Sequence, residues 1–166
     1  MRNLIAFPLI ALAVILQSAV VSRMTLLSGY ADLMLILLSA WALQAQVRSA
    51  WHWALVAALM VGYVTRLPWL VTAAGYFVVV FIAQLLQRRI WQAPLLAMFS
   101  VTIAGTLLMH LMSYAALVFG GSPIPLGDAL GFVTLPSLLL NLLFAIPMYA
   151  FMRDLAQWVY PGEEVE

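Results

Sequence analysis

The sequence has no cysteine and, among its 166 residues, no lysine. Without thiols there can be no disulfide, no thiolate metal site and no cysteine nucleophile. Charge is scarce too: Lys and Arg together number 7, Asp and Glu 6, and the net charge is +1. With no run of basic residues, the chain offers no footprint for nucleic acid and no polybasic tether for anionic lipid. His52 and His110 are the only histidines, and neither sits in an H-E-x-x-H arrangement, so the zinc-hydrolase pattern is missing.

What the sequence has in excess is apolar surface. Hydrophobic residues make up 66% of the chain, against about half in a soluble domain. A globule this small cannot hide that surplus, whereas a hydrocarbon solvent removes the need to. The expected fold is therefore all-α: a polytopic transmembrane helical bundle filling one integral membrane domain, residues 1–166. Spans are expected at 4–21, 32–46, 51–65, 69–86, 94–119 and 132–152, with 153–166 as a short cytoplasmic tail. A five-helix count would merge the segments around Pro68. Arg66 and Pro68 oppose it, since an unpaired arginine in lipid is costly and proline punctuates helices. Residues 4–21 also have the look of a secretory leader, but the apolar run continues to Val21, long enough to be kept as a first helix.

Arginine placement orients this arrangement. With a cytoplasmic N-terminus, Arg2, Arg48, Arg88, Arg89 and Arg153 fall inside, and Arg23 and Arg66 outside. Both termini then lie in the cytoplasm. Interfacial aromatics follow: Trp51, Trp53, Trp91, Trp158 and Tyr160 at inner ends, Tyr30 and Trp69 at outer ones. The glycine- and proline-rich stretch Gly120–Gly131 is expected to be irregular for most of its length, a connecting loop that could also cap the bundle.

Polar residues at membrane depth are few, so each one calls for an explanation. His110 reads as a neutral imidazole bonded to a neighbouring helix, or as a proton relay. Asn141 can donate and accept across a helix pair. Thr102, Thr106, His110 and Ser113 share one face of the fifth helix beside Gly105, which suggests a packed interface. Asp32 suits the cap of the second helix. These four, Asp32, Thr106, His110 and Asn141, are the candidate structural or partner-contact residues; no catalytic, cofactor or metal residue is expected. Asp32 and Asp128 are the one pair of acids that an intramembrane aspartyl protease could use. Ser122 follows two glycines, with nothing to place a base beside it. No acid stands in mid-span, where an ion-coupled transporter would keep one.

The order of these features resembles the rod shape-determining MreD family over nearly the whole chain. The residues that carry the likeness are Gln17-Ser18 late in the first helix and Ala31-Asp32-Leu33 opening the second. Gly62–Arg66 with Leu67-Pro68 and Thr72–Tyr76 follow, then Leu135–Asn141 and Ala145–Tyr149. Ala31 stands where the family has proline, and Arg66 where it has aspartate, so no role of that acid carries over. The resemblance implies a non-catalytic scaffold of the cell-elongation machinery in the bacterial inner membrane. Its partner would be an MreC-like single-span protein, and through it RodA, the RodA transpeptidase and MreB filaments. The family fold is similar to the substrate-binding subunits of energy-coupling-factor vitamin transporters, which makes such a subunit the alternative.

Overall fold

Helices that are apolar on every side are built for an apolar surrounding, and this chain supplies them in series. The computed structural model describes residues 5–48, 50–65, 67–89, 93–122 and 125–161. Arg2, Arg66, Trp91 and the acidic tail from 162 onward, all used in the orientation argument or in the spans, lie outside the described residues. Among the described residues the structure is helical with no strand. The elements are α1 (Ala6–Ala19), α2 (Leu33–Ala42), α3 (Ala50–Val64), α4 (Trp69–Arg89), α5 (Pro94–Phe119), α6 (Leu126–Asp128) and α7 (Leu135–Val159). A short 3₁₀ turn, Val21–Arg23, follows α1. A π-helical stretch, Ala129–Thr134, fuses α6 to α7.

Four of the resulting helical stretches are long and apolar enough to cross a membrane: Ala6–Arg23, Trp69–Arg89, Pro94–Phe119 and Leu126–Val159. By contrast, α2 and α3 are shorter apolar helices. The ends of α5 have plain causes. Pro94 occupies the first turn, where its missing N–H costs nothing, and Gly120-Gly121 closes the helix, Gly121 at φ +79°.

All ten residues of α2 are buried, and α1, α3, α4, α5 and α7 pack around it. It is the core of the bundle. Polar side chains turn back on it: the Ser39 hydroxyl donates to the Leu35 carbonyl, and the amide of Gln44, just past its end, to that of Ala40. Gly105 lets α5 come close at this centre, since a Cβ there would stand 3.1 Å from Val79 and 3.5 Å from Leu35. Near the far end of α2, Trp41 stacks on Trp53 with ring centroids 4.2 Å apart, and Tyr160 lies 6.4 Å from Trp41.

Three expectations need correction. The second segment, expected over 32–46, is a helix only from Leu33 to Ala42, because the Leu43 N–H bonds back to Ser39 and that of Gln44 to Trp41, closing the helix in a turn. The stretch 120–131, expected to be irregular, is helical from Leu126. Pro125 stands just before the first turn and gives its carbonyl to the N–H groups of Asp128 and Ala129, so its ring does not interrupt the helix. The tail expected from 153 is helical to Val159, with Arg153 and Asp154 paired at 3.0 Å on the exposed surface.

Candidate functional site

Two polar sites lie one above the other on α5, a single helical turn apart. The first is sealed. Residues 28–32 reach α2 in a non-helical conformation, so their backbone groups need partners from elsewhere. Neighbouring helices supply them. The Gln17 amide brackets the peptide units, donating to the Ala31 carbonyl (2.8 Å) and accepting from the Leu33 N–H (2.8 Å). From the other side the Asn141 Oδ1 accepts from the Asp32 N–H at 2.7 Å, and the Ser137 hydroxyl accepts from the Tyr30 N–H at 3.0 Å. The Ser28 N–H donates to the Phe132 carbonyl. Asp32 then caps α2, its Oδ1 accepting from the Leu35 N–H at 2.9 Å.

Asn141 completes the node by donating from Nδ2 to the Thr106 hydroxyl at 2.8 Å. Both residues are 0% exposed. Three of the four candidate residues, Asp32, Thr106 and Asn141, are thus joined in one chain of hydrogen bonds linking α2, α5 and α7. Gly29 sets how closely this can pack: a Cβ there would meet the backbone nitrogen of Ser137 at 2.6 Å and the Val133 carbonyl at 2.7 Å.

His110, the fourth candidate, belongs to the second site. Its Nδ1 lies 3.1 Å from the Thr134 Oγ1, and that hydroxyl donates to the Ala129 carbonyl, also at 3.1 Å. With the Thr134 proton so used, Thr134 accepts from the imidazole. In a neutral ring that arrangement selects the tautomer with its hydrogen on Nδ1, in which Nε2 is an acceptor. The π turn explains the partner, because Ala129 and Thr134 are its first and last residues. His110 and Thr134 border a cavity of about 750 Å³ between α5, the loop residues Ser28 and Tyr30, the α3–α4 junction at Thr65 and Leu67, and the α6–π segment. Ser113, Tyr114 and Asp128 also line it.

The expected stripe on α5 therefore divides. Thr102 bonds to its own helix at the Met98 carbonyl, Thr106 crosses to α7, and His110 and Ser113 face the cavity. Asp32 and Asp128 are not brought into one site: Asp32 caps α2, while Asp128 lies on the cavity wall. Ser122 is likewise outside that cavity. Among the described residues no group of three or more metal-ligating side chains is assembled.

Sequence reasoning gave no role to Gln17, Thr134 or Ser137. Thr134, Ser137 and Asn141 stand at three- and four-residue steps, a polar stripe that answers the one on α5. That spacing was a usable signal. Comparison of the chain with family models, curated proteins and solved structures gives no match.

Proposed function

We propose that this chain is a non-catalytic scaffold of the bacterial inner membrane, a six-span bundle that belongs to the cell-elongation machinery and binds a single-span, MreC-like partner. One observation carries the reading. Gln17, Asp32 and Asn141, drawn from three separate segments that bear the resemblance to the MreD family, meet at one hydrogen-bonded node. Their common job is to hold the lead-in to α2, which is a structural duty. The non-catalytic reading draws support from the same place, since Asp32 is engaged as a cap away from Asp128.

The six-span count, with both termini cytoplasmic, rests on the arginine distribution. It gains support from the grouping of loop residues. Tyr30 and Asp128, assigned to the outer side, line one cavity with Thr65 and Leu67, which flank the outer Arg66, whereas Trp53 and Tyr160, assigned to the inner side, both lie against Trp41. A partner's membrane helix would associate through van der Waals fit with a few polar contacts, since lipid is as apolar as the partner.

The cavity favours a second reading, a substrate-binding subunit of an energy-coupling-factor type transporter, because its volume falls within the range of small-molecule pockets. Detergent pull-down with mass spectrometry of both proteins and small molecules separates the two. The scaffold reading expects a bitopic membrane protein to co-purify. Recovery of a vitamin-like molecule with an energising module, and no bitopic protein, overturns it.

A further inference from the structure

The cavity beside α5 is lined by a group of polar residues and by apolar walls. Its lining includes two groups able to accept: Asp128, the one charged residue among the described lining residues, and His110, whose Nε2 is an acceptor in the tautomer that donates from Nδ1 to Thr134. Ser28, Tyr30 and Ser113, each with a hydroxyl, line the same cavity. The walls are leucines that face outward: Leu111 is 62% exposed, Leu126 52% and Leu130 46%. These residues sit on two of the stretches long and apolar enough to span a membrane, so this part of the lining belongs to surface that lipid would cover.

We propose that this cavity is a lateral binding site for a zwitterionic phospholipid with a primary ammonium headgroup. An ammonium brings three donors and no acceptor, which suits a lining that offers a carboxylate and an imidazole lone pair. The neighbouring hydroxyls donate to the phosphate oxygens. An anionic headgroup with no ammonium would set its charge against Asp128 and is disfavoured. The acyl chains lie against the exposed leucines, which gives them a protein wall on one side and bilayer on the other. No bond is made or broken. The site would hold a lipid as a fixed part of the bundle's outer half, and it competes with the transporter reading for the same space.

The test uses the full-length protein reconstituted in nanodiscs of equimolar phosphatidylethanolamine and phosphatidylglycerol, extracted into mild detergent and analysed by native mass spectrometry. Wild type should retain phosphatidylethanolamine in preference to phosphatidylglycerol. Asp128→Asn, a change at an exposed position, should lower that preference on the order of fivefold. Ser113→Trp, which fills the cavity, should abolish retention of both lipids while the protein stays helical and monodisperse. Should Ser113→Trp misfold, the Asp128→Asn result alone decides. Equal retention of the two lipids by wild type, an unchanged preference in Asp128→Asn, or recovery of a water-soluble molecule in place of lipid would each overturn the proposal. Failure of the membrane reading itself looks different: the protein would stay monomeric and folded in buffer without any amphiphile.

Discussion

Thr106 and His110 sit one turn apart on the same face of α5, yet their surroundings differ completely. Thr106 is fully buried against Asn141, whereas His110 is half-buried beside a cavity. What separates them is the partner across the gap. Opposite Thr106, α7 is a regular helix whose Asn141 reaches straight across. Opposite His110, the chain is in its π turn, and the wider winding leaves space beside α5. π turns inside helices often accompany functional sites. Two residues on one stripe thus take different duties because the facing element changes its pitch between them.

The sharpest way to break the sealed site is to spoil its closest approach. Gly29→Val puts a branched side chain against the backbone of α7 and should destabilise the protein by roughly 3 kcal/mol or more, read as loss of the folded, monodisperse species in detergent. Next comes Asn141→Leu. It strips a buried acceptor from the Asp32 N–H and a donor from Thr106, and should cost about 2 kcal/mol by thermal or chemical unfolding. His110→Phe, one turn away, should cost less than about 1 kcal/mol, because the Thr134 hydroxyl keeps its bond to Ala129 and the ring borders open space. If His110→Phe proved as damaging as Asn141→Leu, the contrast between the two sites would be lost. The smallest change is Asp32→Asn. Asparagine caps helices as well as aspartate does, so stability should move by only about 0.5 kcal/mol, while Asp32→Ala should lose about 1 kcal/mol. A large effect of Asp32→Asn on function in cells, with stability kept, would assign the carboxylate a role beyond capping.

Much of the architecture was legible because it follows from local chemistry. The bounds of α5 follow from Pro94 and from Gly120-Gly121, and the Asp32 cap from an acid directly before an apolar run. The helix at 126–131 was not legible, since two glycines and a nearby proline outweigh helix formation by propensity alone. Packing of the following helix carries the pattern through them. Within the candidate site, Asp32, Asn141 and Thr106 stood out as rare polar groups in an apolar chain, but which of them meet depends on how distant helices cross. Gln17 escaped for a related reason. A glutamine near the end of a span looks like an interfacial residue until the loop it brackets is seen.

One consequence of the ten-residue α2 concerns how the protein is made. A helix of that length rises about 15 Å, half of the roughly 30 Å of hydrocarbon, and the peptide leading into it is held by side chains 107 and 109 positions further along the chain. A ribosome that has produced only the N-terminal half has not yet synthesised Ser137 or Asn141. The central helix must therefore wait, with the Tyr30 and Asp32 amides hydrated or sheltered by other molecules, until α7 arrives. The core is completed only once α7 is in place, and a chain cut short before α7 is denied the latch that completes its middle.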